Sequence, residues 1–457
     1  MPGWTDDKSL FEQEVEQVRL EEGTADRLLS MQQAIEDQGA LGADACRNLL
    51  NVWAGRHREH PAEPTELVAI QTLARPAPCP AWDGSDAELL DRLHGAWLAR
   101  CAGCALGKPF EVFMHPHNGL SSRKRIAMYL KAVGEREYPI RAYAPPRSPA
   151  EQTTGPVCCP RSTRSRIECL ETDDDIRYTL LGTRLLEEHG LGFTSWHVAR
   201  AWMSSLPYMS VCTAETQAFR NLVERYDFHL GSDWARAEQD VDWRWVRTRQ
   251  NPYREWVGAA IRADAYGYAC PGNPTLAAEL AWRDARISHT ANGIYGSMLI
   301  AAMIARAFVE PDPRQIVAGG LSHIPPQSRM AKAVLPLLDT CSPDLPDDEA
   351  LDLFDTLIAD LDPVHAIPHA VIVSGSLLVG ATDLARALGL SVMAGRDTDC
   401  NGASVGSIVG AMLGSAAVPA GLATPLHDRI ETGLIGPEYV SIAGMAARSL
   451  GIVQRAR

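Results

Sequence analysis

The chain has 457 residues, is 46% apolar and carries a formal net charge of −14. That composition supports a large core in one or two domains. The acidic balance argues against nonspecific nucleic-acid binding and against docking on an anionic membrane, since both need a basic surface.

From the N-terminus, "MPGWTDDKSLFEQEVEQVRLEEG" is acidic and lacks the basic start and apolar run of a secretory leader. The 11 cysteines are therefore expected as reduced thiols in a cytoplasmic protein. Residues 5–58 predict two helices, the first carrying Leu10, Phe11, Val15 and Val18 at helical spacing, the second running through "GADACRNLLNVWAGR". The proline-bearing "RPAPCPAWDGSD" (75–86) then marks a boundary, giving an N-terminal helical extension at 1–85 and a main domain at 86–457. The extension holds no constellation of polar groups, and its expected role is packing or a homo-oligomer contact.

Beyond the boundary the apolar spacing is repeatedly helical. It predicts helices over 87–106, 176–189, 195–205, 213–224, 255–268, 274–285, 292–309, 314–321, 327–340, 347–360, 364–379, 382–390 and 400–415. Strand-like alternation is nearly absent, and the β-branched "HAVIVSGSLLVG" is long enough to favour a helix, so the fold class is all-α. "CAGC" (101–104) has a redox-like spacing but lies in a small-residue helix, where buried thiols are the simpler reading. Residues 113–170, dense in Pro, Ser, Thr and Arg, read as a long loop or flap. Within it "RSTRSRIE" (161–168) has three arginines, too short a run for an extended basic surface. The longest apolar run, "GSMLIAAMIARAF" (296–308), is interrupted by Arg306 and is too short to span a bilayer.

Two acidic clusters stand out. In "LETDDDIRYTLLG", Thr172 is followed by Asp173, Asp174 and Asp175; in "GRDTDCNG", Asp397 and Asp399 flank Thr398 and precede Cys400. A helix N-cap accounts for one or two such acids. More than that repel one another unless a cation sits among them. Behind Asp399, Gly402, Gly406, Gly410 and Gly414 recur every four residues, leaving one helix face nearly free of side chains for close packing. Hard oxygen donors from two parts of the chain suit Mg²⁺ or Mn²⁺, with surface caps as the alternative.

Together "GAWLARCAGCALGKPFE", "TDDDIRYTLLG", "NPYREWVGAAIRADAYGY", "PGNPTLAAELAWRDARISHTANGIYGSMLIAAMIARAF" and "GRDTDCNGASVGSIVGAMLG" resemble the ADP-ribosylglycohydrolase family over about 90–415, several motifs falling in the family's order. The resemblance implies a compact all-α fold and a binuclear Mg²⁺ or Mn²⁺ centre. It also implies hydrolysis of the bond between the anomeric ribose carbon of ADP-ribose and an arginine, serine or small-molecule acceptor. It makes Thr172, Asp173, Asp174, Asp397 and Asp399 metal ligands, with Cys400 a further candidate. Glu111, which closes the motif that starts at Gly103, stands where some members keep a substrate-side acid. Cys400 replaces a frequent threonine, Cys104 a common aspartate, and Asp175 a serine or threonine; these departures bear on acceptor specificity more than on enzyme class.

The mechanism so implied is metal-assisted glycosyl hydrolysis, with Asp174 or Glu111 as general base or charge stabiliser. His289 and Asn292 are candidates for either capping or lining the substrate pocket. Tyr253 and Arg254 could stack or contact phosphate, or be structural, and Gly293 and Gly296 could admit a sugar or phosphate to a helix start. Two other functions fit the same residues: hydrolysis of a small N-glycoside or NAD-derived nucleotide metabolite, and a non-catalytic binding protein that keeps the fold.

Overall fold

The computed structural model describes residues 5–37, 42–54, 59–228 and 238–457. Helix accounts for 66% of the residues and strand for 3%, the all-α class expected from the spacing of apolar residues. Among the described residues one antiparallel strand pair, Arg429–Glu431 with Tyr439–Ser441, lies beyond the last predicted helix, and isolated bridges make up the rest. The end of the second N-terminal helix, at Gly55 and Arg56, lies outside the described residues.

Local chemistry sets the helix starts. Ser85 and Glu88 form a reciprocal capping box that opens the helix Asp86–Gly107. Asp173 caps the helix Asp174–His189 by accepting from the Asp175 amide. The segment "HAVIVSGSLLVG" lies in the helix Ala366–Gly380, every residue of which is buried. Residues 255–268 depart from one continuous helix: Val257–Arg262 is a 3₁₀ stretch and Asp264–Tyr268 a short helix. The Val257 amide donates across to the Val364 carbonyl, which holds that stretch against the chain entering the Ala366 helix.

Residues 113–170 depart further from expectation. They contain a helix, Ser122–Ala132, and send Ile126, Tyr129, Ile140 and Tyr143 into the main core. The prolines and arginines hid this, because Arg125 is buried and donates to the carbonyls of His115 and Thr154, so it works as an internal clamp. Arg161 and Arg164, in the basic run, pair with Glu431 and Glu135.

The centre of the molecule is the crossing of Asp86–Gly107 with the helix Thr398–Leu413. A Cβ added at Gly402 would meet the backbone of Gly103, one at Gly406 the backbone of Ala99, and one at Gly410 the backbone of Gly95. The two backbones thus touch along three helical turns, and Thr398 Oγ1 donates to the Gly107 carbonyl at 2.8 Å. This contact fixes the start of one helix against the end of the other.

Helices at Asp7–Glu22, Asp26–Glu36, Ala43–Ala54 and Leu67–Leu73 precede the main domain. The first three form a small cluster around Leu10, Leu28, Leu49 and Trp53, joined by Ala214 and Tyr253 from the main domain. No helix among the described residues is long and apolar enough to cross a membrane.

Candidate active site

The backbone-to-backbone crossing brings three stretches to one buried point. From the Asp86–Gly107 helix and the 3₁₀ turn after it come Cys104, Lys108 and Glu111; from the next stretch come Asp173, Asp174 and Asp175; from the glycine-faced helix come Asp397, Asp399 and Cys400. Gly395 and Arg396 both adopt left-handed backbone conformations just before Asp397, turning it inward. Asn401 braces that turn by donating to the Gly395 carbonyl and meeting His369 Nδ1 at 2.9 Å.

Among the described residues, ligand atoms lie within 4.8 Å of one another in three sets: Glu111 with Asp397 and Asp399; Asp175 with Asp399 and Cys400; and Cys104 with Asp173 and Asp175. Asp397, Asp399, Asp173 and Asp175 are all buried. Both carboxylate oxygens of Asp175 and Oδ1 of Asp399 have no hydrogen-bond partner among the described residues. A buried carboxylate oxygen left unpaired is costly, and shared carboxylates within a few ångströms of one another make it more so. The donor set therefore fits a hard divalent cation with oxygen ligands.

Electrostatics agree with that fit. Burial, then the Asp397 and Asp173 charges, pushes the Glu111 carboxyl well up, and burial with the Glu111 charge does the same to Asp399. Burial, then Asp173, raises Asp175. Asp174 is pushed up to about 7 by burial and by Asp173. Asp173 differs: burial raises it, but the Lys108 ammonium, 2.8 Å away, outweighs this and holds it at about 2. Arg100, fully buried, lies 2.8 Å from Asp264 and 3.7 Å from Asp175. Burial raises the Cys104 and Cys400 thiols well above their ordinary value, so both are neutral thiols beside these acids. Cys101, the other cysteine of "CAGC", is a core residue raised to about 12 by burial, and every cysteine is free.

A cavity of 280 Å³ opens on the acids. Glu111, Asp174, Glu215, Asp397 and Asp399 supply its acidic side, and Met114, Trp256, Val257, Ile261 and Val364 an apolar wall. Thr172 stands back from it, its hydroxyl accepting from Arg177 at 3.3 Å.

Four of the residues singled out for substrate contact lie behind the wall. Arg254 is buried, its guanidinium bonded to both carboxylate oxygens of Glu14 and of Glu21 on the first helix. Asn292 donates to Glu255 and accepts from the Met330 amide, while His289 is buried against Ser288 Oγ at 2.8 Å. Gly293 has no room for a Cβ beside the Arg254 carbonyl and the His289 ring. Tyr253 reaches the cavity only through Trp256, whose ring it meets at 4.7 Å. These residues hold the 253–258 stretch in place, and Gly296 faces Met330, Ala260 and Ala366. Lys108, Glu215 and Trp256 at the site were not singled out by the sequence, although Lys108 lies in "GKPFE", Trp256 in "NPYREW" and Glu215 in the first turn of its helix.

An all-α fold with a buried carboxylate cluster at a small cavity defines a helical scaffold with a candidate metal centre. The sequence profile described as ADP-ribosylglycohydrolase matches residues 85–452, and the chain belongs to that family. A search of curated proteins finds no match. Among solved structures, an "ADP-ribosylglycohydrolase-related protein complex" superposes with a TM-score of 0.51 at 17% identity, covering 81% of this chain and 100% of that one, a likeness of fold.

Proposed function

We propose that this chain is a metal-dependent hydrolase of the glycosidic bond at the anomeric carbon of a ribosyl group, the bond that joins ADP-ribose to its acceptor in the reaction its family is named for. The observation that carries the reading is the set of buried carboxylate oxygens without a hydrogen-bond partner among the described residues, on Asp399, which lines the cavity, and on Asp175, which shares a ligand set with Asp399 and Cys400. Asp173, Asp175, Asp397, Asp399 and Glu111 are the proposed ligands, with Cys400 adjoining them and Thr172 joining only if it leaves Arg177. A divalent ion, Mg²⁺ or Mn²⁺, supplies Lewis acidity when bound and offsets the carboxylate charge. A pair of ions is consistent with the several overlapping ligand sets.

Hydrolysis needs a base for the attacking water and stabilisation of positive charge at the anomeric carbon. Asp174 and Glu111 both face the cavity and come from separate elements. One takes the proton from water, and the remaining carboxylates stabilise the oxocarbenium-like charge. The apolar wall excludes bulk water from that bond.

Asp174→Asn and Glu111→Gln separate the roles when metal content and turnover are both measured. The variant that keeps its metal but loses turnover identifies the base; loss of metal marks a ligand. Wild-type protein that binds no divalent ion, or that leaves ADP-ribosyl-arginine, ADP-ribosyl-serine and free N-ribosides all uncleaved, would refute the reading.

A further inference from the structure

Cys158 and Cys159 stand side by side in "PVCCPR". We propose that they form a dithiol modification site, oxidised by a peroxide to a reversible disulfide, and that this oxidation loosens the turn that carries Lys108 and Glu111 to the buried acids. Cys158 is strapped to that turn, Lys108–Phe113, by two bonds. Its amide donates to the Pro109 carbonyl at 3.0 Å, and its thiol donates to the Lys108 carbonyl at 3.1 Å. Cys159 has a left-handed backbone, with φ at 47°, immediately before Pro160. A residue with a Cβ adopts that conformation only where its surroundings hold it. The two thiols hydrogen-bond each other, and both are half-buried, open to a small oxidant. Among the described residues neither belongs to a set of three metal ligands, so the pair suits dithiol chemistry better than a closed zinc site.

The two sulfurs are unequal. The hydrogen bond from Cys159 lowers the Cys158 thiol against the effect of burial, and the Val112 amide lowers it further. The same bond, with burial, raises Cys159. Every other cysteine is raised as well, chiefly by burial, including Cys212 at the cavity, pushed up to about 12. A reachable, lowered thiol beside a second one is the arrangement that peroxide oxidation selects. The Cys158 thiolate attacks one peroxide oxygen and the O–O bond breaks. The other oxygen leaves as water once protonated, and Cys158 becomes a sulfenic acid. The Cys159 sulfur then attacks the Cys158 sulfur, and the S–O bond breaks. Hydroxide departs with the Cys159 proton as a second water. The two thiols lose two electrons, and the peroxide gains them.

The disulfide cannot keep the strap as it is. Cys158 loses the proton that it donates to the Lys108 carbonyl. Adjacent Cα atoms lie about 3.8 Å apart, against roughly 4.4–6.8 Å across an ordinary disulfide, so ring closure bends the backbone between the two residues. That bend pulls on the Cys158 amide and its bond to Pro109. A bond closed under such a constraint is readily reduced, which makes the modification reversible. The turn so disturbed places the Lys108 ammonium 2.8 Å from Asp173 and brings Glu111 to Asp397 and Asp399.

Peptide mapping of the full-length protein tests the site, whichever substrate the cavity takes. Cleavage after Arg147 and Arg161 yields one peptide, 148–161, that holds both cysteines and no other. After hydrogen peroxide this peptide should be lighter by two hydrogen atoms, and a dithiol reductant should restore it. In Cys159→Ser the reaction should stop at the Cys158 sulfenic acid, captured by a 1,3-diketone; Cys158→Ser should give no adduct in this peptide. Amide exchange in residues 108–114 should quicken about tenfold on oxidation of the wild type and stay at the reduced rate in peroxide-treated Cys158→Ser, whose hydroxyl can still donate to Lys108. A peptide that stays reduced while other cysteines oxidise overturns the site, as does pairing of Cys158 with a distant cysteine. Formation of the Cys158–Cys159 disulfide with exchange at 108–114 unchanged or slowed overturns the coupling to the turn.

Discussion

Asp399 illustrates what a single carboxylate does here. It is buried, one of its oxygens is unpartnered, and its pKa is raised by burial and by Glu111. Such a group destabilises the metal-free fold and becomes favourable only beside a cation. Asp399→Asn keeps the shape and removes the charge. It is expected to lower divalent-ion affinity and turnover by at least about 100-fold, the upper end of what loss of a mere supporting group costs. Metal content measured on purified variant and wild type, together with turnover, checks this. Asp175 matters for the same reason and was the less obvious of the two. In "TDDD" it reads as surplus, yet its oxygens lie with Asp399 and Cys400 in one ligand set and with Cys104 and Asp173 in another.

At the scale of elements, the glycine-faced helix is the device that positions the acids. Gly406 abuts the backbone of Ala99, which cannot swing aside as a side chain would. Gly406→Val should therefore cost about 3 kcal/mol or more, beyond the usual range for overpacking a core. Gly421→Ala, with open space around it, should change stability by no more than about 0.5 kcal/mol or improve it slightly. Denaturant melts of the pair distinguish a packing constraint from a general intolerance of substitution.

Glu255 links the first helix to the main domain. It accepts from Gln17 at 3.1 Å, from Asn292 at 3.1 Å and from Arg329 at 2.8 Å, with His365 Nε2 3.4 Å away. The His365 Nδ1 accepts from the Ile367 amide, so Nε2 is the protonated nitrogen facing the carboxylate. Burial opposes the Glu255 charge, but Arg329 and His365 outweigh it and hold the group well below its ordinary 4.5. A depressed folded value means that its contribution is full above pH 4.5 and is lost as pH falls through the folded value. Glu255→Gln is expected to flatten the acid limb of the stability profile and to cost about 3 kcal/mol at neutral pH, measured by urea melts across a pH series.

For the whole molecule, metal binding and folding are coupled, because the acids meet only in the folded chain. Adding Mn²⁺ or Mg²⁺ at about 100 times its dissociation constant to chelator-stripped protein should raise stability by about 2.7 kcal/mol, and a chelator should reverse it. Thermal melts with and without the ion test this; an unchanged midpoint would argue that the acids hold no cation in solution. The N-terminal helices belong to this scale as well. They close over Tyr253 and Arg254 and so support, from behind, the stretch that carries Trp256 and Val257 to the cavity.

The all-α class, most helix positions, the two acidic clusters and the glycine-spaced packing face were legible in the chain because each is a local pattern. Apolar spacing sets a helix face, and adjacent acids before a helix stand out without knowledge of neighbours. Tertiary structure alone decided which acids meet. It brought Asp175 and Glu111 to Asp399, drew Lys108 onto Asp173, and spent Arg254, His289 and Asn292 on packing behind the cavity. It also turned the proline- and arginine-rich stretch after Glu111 into part of the core. The physical reason is common to all of these: the charge and burial of a polar side chain depend on partners tens to hundreds of residues away, and no local pattern records them.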